Sequence, residues 1–325
     1  MRRRLTLAGI ALVALLAAVQ LAAVVLHALG DDDAAGAGLA AVPALVRAPE
    51  RAERTVDAYA GAGAWIDVFD TGAAPGDATV SPAAVDEMAD AGVRTVYLQA
   101  ARDDGAGEPE LADPGVLAQF LVRAHDRGLR VVGWYLPRFD DVARDLEHLR
   151  AIDAFEVLGH RFDGVAVDIE WTDSVADPAE RSARLVELSQ GLRDAVGTDA
   201  LGAIVLAPVH LDVVNPGFWP SFPWDELAPL YDAWLPMGYW SDRTTASGYR
   251  EAATYTSENL RRLAEHVGDD VAVHAIGGLG AETTPEDVAG FVSAAQADGV
   301  IGASIYDWAT FPVGAQRDLS GALGP

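Results

Sequence analysis

From residue 61 onward the chain alternates short runs dense in apolar and β-branched residues with longer stretches whose apolar positions recur every three or four residues. The runs at 64–69, 95–100, 131–136, 164–170, 203–208, 233–239, 271–276 and 301–308 read as strands, eight in all. The stretches between them carry helix punctuation. Ser81 and Pro82 open the first, Asp113 and Pro114 the second, and Thr284 and Pro285 the seventh. A side-chain oxygen at such a position accepts an unpaired N–H, and proline fits the first helical turn. Gly92, Gly128 and Gly299 follow helix ends, and a long fourth helix is expected over Pro178–Val196. Eight βα units with mostly short connections predict one α/β domain over 61–325, a closed (β/α)8 TIM barrel rather than an open doubly wound sheet. No Gly-x-Gly-x-x-Gly follows the first strand, which argues against a dinucleotide fold.

Upstream the pattern changes. Arg2, Arg3 and Arg4 precede an uncharged apolar run over 5–29, and Asp31, Asp32 and Asp33 follow it. At about 1.5 Å per residue this run is long enough to cross a bilayer. Its basic flank predicts that the remainder of the chain lies outside the cytoplasm. Residues 1–30 are therefore expected to be a signal peptide or a transmembrane signal anchor, and small residues such as Ala28, Gly30, Ala34 and Ala35 leave cleavage open. Segment 31–60, rich in Ala, Gly and Asp with Pro43 and Pro49, reads as a short flexible linker. The expected product is extracytoplasmic, membrane-anchored or secreted, and monomeric.

Composition narrows the function. A formal net charge of -26 repels phosphate backbones and anionic membrane surfaces, so nucleic acid is excluded as a partner. The absence of cysteine removes disulfides, thiolate zinc sites, cysteine nucleophiles and lipobox acylation. The seven histidines show no His-Glu-x-x-His spacing, and no metal is expected.

The fourth strand candidate carries the chemistry. In Phe162-Asp163-Gly164-Val165-Ala166-Val167-Asp168-Ile169-Glu170-Trp171, strand alternation puts Gly164, Ala166, Asp168 and Glu170 on one face and Val165, Val167 and Ile169 on the other. Two carboxylates about 6.5 to 7 Å apart on a small-residue face, at the C-terminal end of a barrel strand, sit where barrel enzymes gather catalytic groups. Their coupling raises the pKa of one so that it can serve as an acid near neutral pH. Glu170, nearer the rim, is the candidate general acid, and Asp168, deeper, its helper. Asp163 has the opposite parity and is expected to make structural contacts.

This segment resembles the fourth-strand signature of glycoside hydrolase family 18, Asp-Gly-x-Asp-x-Asp-x-Glu, with Ala166 in place of the innermost acid. Pro236-Met237-Gly238-Tyr239-Trp240 on the sixth strand is similar to the family's Met-x-Tyr-Asp, with Trp240 where an acid is common. Ser304-Ile305-Tyr306-Asp307-Trp308 on the eighth places Trp308 where the family keeps an aromatic floor under the sugar. The resemblance implies a chitinase-like or peptidoglycan N-acetylglucosaminidase-like hydrolase that acts on β-linked, N-acetylated amino-sugar polymers. It implies a retaining, substrate-assisted mechanism without cofactor or metal. Glu170 would protonate the glycosidic oxygen, the substrate's 2-acetamido group would attack the anomeric carbon, Asp168 would stabilise that acetamide, and Tyr239 would hydrogen-bond its carbonyl. Met237, Tyr306, Trp308 and Trp240 would contact substrate.

Two other readings stand beside this one. Asp67, near the end of the first strand and followed later by Asp-x-Glu, is similar to the arrangement of family 25 lysozymes, where it would join Asp168 and Glu170 in muramidase chemistry. The departures at Ala166 and Trp240 also fit a sugar-binding barrel without catalysis. Gln99, Arg102, Tyr135 and Arg138 follow strand ends and are candidate rim contacts, and His210 is a candidate for a sugar hydroxyl. Phe218, Trp219, Phe222, Trp224 and Tyr231 form either a sugar-stacking surface or a satellite core beneath a long loop.

Overall fold

The computed structural model describes residues 53–72, 78–103 and 110–324. Eight parallel strands close into a barrel in chain order: β1 Gly61–Ile66, β2 Thr95–Gln99, β3 Arg130–Tyr135, β4 Gly164–Ile169, β5 Leu201–Leu206, β6 Ala233–Met237, β7 Ala272–Leu279 and β8 Gly302–Tyr306. Closure pairs Gly61 with Gly302. Each strand lies where the hydrophobic pattern predicts it, with ends displaced by at most three residues. The first stops at Ile66 rather than 69 because the next three N–H groups bond side chains instead of a neighbouring strand. Asp67 N–H donates to Asp70 Oδ2, Val68 N–H to Gln99 Oε1 and Phe69 N–H to Asp67 Oδ1.

Parallel strands are buried on both faces, and the two faces fill differently. Val165, Val167 and Ile169 on the outer face of β4 pack with Leu185, Leu188 and Leu192 of the helix Pro178–Val196 in one apolar core. The inner face of β4 holds Gly164, Ala166 and Asp168, as its alternation predicts. Small residues there make room for Tyr59, which a short turn, Val56–Tyr59, inserts into the base of the barrel. Its hydroxyl donates to the Val165 carbonyl at 2.8 Å. A Cβ on Gly202 would stand 2.6 Å from the Tyr59 ring, and one on Gly164 would stand 2.9 Å from its hydroxyl oxygen.

Arg54, also buried, fastens this plug. Its Nε donates to the Phe162 carbonyl at 2.9 Å, and its guanidinium pairs with Asp153 and Asp199. Residues 53–60, which composition assigns to the linker, therefore belong to the barrel. The Ala- and Asp-rich run conceals two anchoring side chains. The apolar run over 5–29 and the rest of the linker lie outside the described residues. Among the described residues no helix is long and apolar enough to cross a membrane.

Helix starts follow the expected chemistry, with one exception. Asp113 accepts from the N–H of Gly115 and Val116, and Asp177 accepts from Ala179 ahead of Pro178. Thr284 forms a reciprocal capping box with Asp287. Ser81 does not cap. The first helix begins at Ala84, and Ser81 contributes only its carbonyl, which accepts from Ala84 N–H.

The aromatic stretch after β5 extends the main apolar core outside the barrel instead of forming a satellite one. Trp219 packs edge-on to Phe139 and Phe222, Phe222 meets Trp224 at 4.5 Å, and Trp224 stacks on His266 at 4.7 Å. Trp219, Phe222, Trp224 and Tyr231 are all buried, so these rings are not offered to a sugar.

Candidate active site

The C-terminal ends of the strands surround a cavity of about 280 Å³. Its polar lining comes from Asp67 after β1, Gln99 of β2, Asp168 and Glu170 of β4, Tyr239 after β6 and Tyr306 of β8. Trp65, Trp134, Ile204, Met237 and Ile276 supply apolar walls, with Phe69, Leu136 and Leu279. Trp65, Gln99, Trp134, Asp168, Ile204, Met237, Ile276 and Tyr306 are inward-facing positions near strand ends. The barrel's parity therefore collects them in two successive layers, one from the odd strands and one from the even.

Asp168 is 7 % exposed, and among the described residues its Oδ1 has no hydrogen-bond partner. A carboxylate so placed loses hydration without gaining a donor, and its pKa is pushed well above the carboxylate range, first by burial and then by the charge of Glu170. Burial raises Glu170 as well. The two carboxyls titrate as a pair, and the apolar walls favour one shared proton over two adjacent charges. The orphaned Oδ1 of Asp168 is an acceptor that a ligand donor would satisfy.

Two tyrosines face the carboxyls. Burial, then Glu170, Tyr306 and Asp168, hold the Tyr239 phenol well above its ordinary pKa, so its hydroxyl stays a donor. Tyr306 lies 6.0 Å from the Tyr239 ring and donates to Asp67 Oδ2 at 3.0 Å. Trp65 stacks on Tyr97 at 4.2 Å, and its Nε1–H donates to Ser304 Oγ at 2.8 Å. Ser304 is also 2.8 Å from His274 Nε2, and His274 Nδ1 donates to the Tyr59 carbonyl. Burial takes His274 down to about 4, so it is neutral here and accepts from Ser304. A chain of matched donors and acceptors thus runs from the barrel plug to the cavity wall.

The structure brings Asp67, Gln99, Asp168, Glu170, Met237, Tyr239 and Tyr306 together and leaves the other candidates outside. Gln99 spends both ends of its amide on the loops, accepting from Val68 N–H and donating to the Ala101 carbonyl. Tyr135 is not a rim contact. It has outward parity, next to inward-facing Trp134, and its hydroxyl donates to Asp145 Oδ1 at 2.6 Å on the helix side. Trp240 is not a substrate contact either, because it is fully buried against Phe291 and over Gly277 and Gly278. Trp308 stands two residues beyond the strand end and lines a separate cavity with Thr79, Glu87 and Phe311, while Tyr306 occupies the inner position. His210 packs on Phe218 and accepts from the Arg243 guanidinium at 3.1 Å, away from the lining. Arg138 lies over Trp171 and Arg102 over Phe69. Asp163, as its parity predicts, accepts from Val131 N–H and contacts His125.

Sequence reasoning missed Trp65, Phe69, Trp134, Leu136, Ile204, Ile276 and Leu279 as lining residues. The signal for Trp65 was available, since it lies one strand step, two residues, below Asp67. Among the described residues, the carboxylates of Asp67, Asp70 and Asp307 offer oxygens within 4.8 Å of one another. Those oxygens already accept from Tyr306, Phe69 N–H, Asp67 N–H, Thr79 and Thr310. Protein donors account for the cluster.

Neither a family model nor a curated protein sequence matches this chain. Solved structures share its fold. The Bacillus cereus spore cortex-lytic enzyme SleL matches with a TM-score of 0.58 at 9% identity, over 81% of this chain and 74% of that one. Active domain 2 of a Pyrococcus furiosus chitinase matches with a TM-score of 0.56 at 12% identity, over 82% and 99%. The catalytic domain of a Paenibacillus polymyxa β-amylase matches with a TM-score of 0.58 at 8% identity, over 82% and 99%. At such identities the likeness shows the barrel alone, and one architecture serves unlike polymers.

Proposed function

We propose that the protein is a glycoside hydrolase acting on β-linked, N-acetylated amino-sugar polymers, chitin-like or peptidoglycan. The observation that carries this reading is the Asp168–Glu170 pair, one buried and the other half-buried in the lining of a single cavity, with both pKa values raised. A carboxyl that keeps its proton near neutral pH is what protonation of a leaving glycosidic oxygen requires. Glu170 takes that role. Asp168, with its unpartnered Oδ1, accepts the N–H of the substrate's acetamide and stabilises the positive charge that builds as the acetamide closes on the anomeric carbon. The Tyr239 hydroxyl donates to the acetamide oxygen. The stereochemical outcome is retention, with no protein nucleophile. The N-terminal apolar run, as signal or anchor, delivers this domain outside the cytoplasm.

A second reading has support from one specific observation. Asp67 lines the same cavity as Asp168 and Glu170, as a lysozyme-like scheme requires. A binding-only barrel is the third. Reducing-end release from purified chitin and purified peptidoglycan, compared with Glu170→Gln, separates the two enzyme readings from the binding-only one. Hydrolysis that Glu170→Gln abolishes supports the enzyme. Binding of a polymer by both proteins without cleavage by either would leave only the sugar-binding role.

A further inference from the structure

Among the described residues, the large apolar side chains left exposed are Phe69, Leu158, Val213 and Val214, and Phe69 is the aromatic one. Phe69 is 56 % exposed and lines the mouth of the carboxylate cavity. Its depth contrasts with that of Trp65 and Trp134, which are 2% and 5% exposed at the wall below. An exposed phenyl ring loses the favourable transfer from water that burial would give, about 25 cal/mol per Å². Nothing in the fold requires a large apolar side chain at this position.

The ring is also held. Phe69 N–H donates to Asp67 Oδ1 at 2.8 Å, and the preceding Val68 N–H donates to Gln99 Oε1 at 3.1 Å, so the loop backbone under the ring is fixed to two cavity residues. The Arg102 guanidinium lies 5.0 Å from the ring centroid, which places a cation against the π cloud. A flat, oriented aromatic surface at the rim of a sugar-sized cavity suits the C–H face of a pyranose.

We infer that Phe69 is a stacking platform for a second sugar, adjoining the one held over Asp168 and Glu170, and that it makes the protein select chains over single sugars. This rests on the functional reading above. The ring contributes nothing to the bond-breaking step and everything to how the neighbouring unit of the chain is gripped. Phe69 is therefore a specificity residue, with an effect that depends on ligand length.

The test uses the full chain carrying Glu170→Gln, which removes turnover, with and without Phe69→Ala, Phe69→Tyr or Phe69→Trp. Two probes are compared: N-acetylglucosamine, measured by ligand-observed NMR, and the β-1,4-linked pentamer of N-acetylglucosamine, measured by calorimetry. Phe69→Ala is expected to weaken the pentamer about tenfold, equivalent to about 1.4 kcal/mol. It should leave the monomer within about twofold, a change of less than about 0.5 kcal/mol. Phe69→Tyr and Phe69→Trp should retain pentamer affinity, since each keeps a stacking face. Equal loss for both probes, no loss for the pentamer, or failure of Phe69→Trp to rescue would overturn the platform while leaving the hydrolase reading in place. If neither probe binds and the wild-type protein cleaves neither chitin nor peptidoglycan, the functional reading falls and this inference falls with it.

Discussion

Tyr306 donates a 3.0 Å hydrogen bond to Asp67 Oδ2, tying the end of β8 to the end of the adjacent β1 at the rim of the cavity. Asp67 Oδ1 accepts from the N–H of Phe69 and of Asp70. Both oxygens are thus committed to protein donors, whereas Asp168 Oδ1 has none among the described residues. The difference separates a carboxylate that organises a loop from one that awaits a ligand.

Asp67→Asn should therefore be mild. An Asn carbonyl oxygen still accepts from the Phe69 and Asp70 N–H groups, and only the Tyr306 bond is lost. Turnover is expected to fall by less than about tenfold, the scale of one neutral hydrogen bond. Glu170→Gln, which removes proton donation, should cost about a hundredfold or more. A thiazoline mimic of the cyclised acetamide should inhibit tightly, as an analogue of the reactive intermediate does. Steady-state rates on one polymer decide it. A severe Asp67→Asn loss without thiazoline inhibition would favour the lysozyme-like scheme.

The raised carboxyl pair makes a prediction about pH. A general acid works while protonated, so kcat/KM should decline as pH rises through the pair's upper apparent pKa, and that limb should lie above the ordinary Glu value. Asp168→Asn removes the charge that helps keep a proton on the pair, so the limb should move to lower pH while the maximal rate drops. A pH–rate profile of both proteins reads the shift directly. An unmoved limb would mean that the two carboxyls do not share a proton.

The barrel was legible because its signal repeats: eight apolar runs punctuated by Asp113, Thr284 and the glycines each vote for the same architecture. The carboxylate pair was legible because alternation in β4 sets Asp168 and Glu170 apart from Val165 and Val167 without reference to any other strand. The rest of the wall was not, since it depends on which parity faces inward in each strand separately. In β3 two bulky aromatics are adjacent, and pattern alone does not choose Trp134 over Tyr135. The choice is made by Asp145, whose carboxylate on the neighbouring helix draws the Tyr135 hydroxyl outward. Trp240 was misplaced for a related reason. The chain turns at Gly238, and the side chain swings behind β7 into space left by Gly277 and Gly278. Arg54 and Tyr59 were hidden by composition, because a plug needs only two good anchors in an otherwise loose run.

Arg54 should matter to stability more than any surface ion pair. It is 4% exposed and reaches Asp153, Asp199 and the carbonyls of Asp153 and Phe162. Removing one partner of a buried pair costs about 3 to 5 kcal/mol. Asp153 and Asp199 keep some access to water, which places Arg54→Ala at about 3 kcal/mol. Urea denaturation measures this, and a loss of less than about 1 kcal/mol, the value of a solvent-exposed pair, would show that the plug holds without its anchor.

Asp70 gives a stability prediction whose sign is fixed by its surroundings. The side chain is buried beneath the β1 loop, where Oδ1 accepts from Thr79 and Oδ2 from Asp67 N–H. Burial, then the charge of Asp67, pushes its carboxyl up from 3.8 to about 6. The folded protein therefore holds this proton more tightly than the unfolded chain does. As pH rises from about 4 to about 6 the folded state gives up stability on this account, and above that window the penalty is complete. At 1.36 kcal/mol per pKa unit, the roughly two-unit difference amounts to at most about 3 kcal/mol. Asp70→Asn cannot titrate, and its loss of an acceptor for Asp67 N–H is a cost independent of pH. The stability of the variant relative to wild type should therefore improve steadily between pH 4 and pH 6 and then level off. Denaturation midpoints for both proteins across that range give the difference curve. A flat curve would show that Asp70 ionises in the folded protein as freely as it does in the unfolded chain.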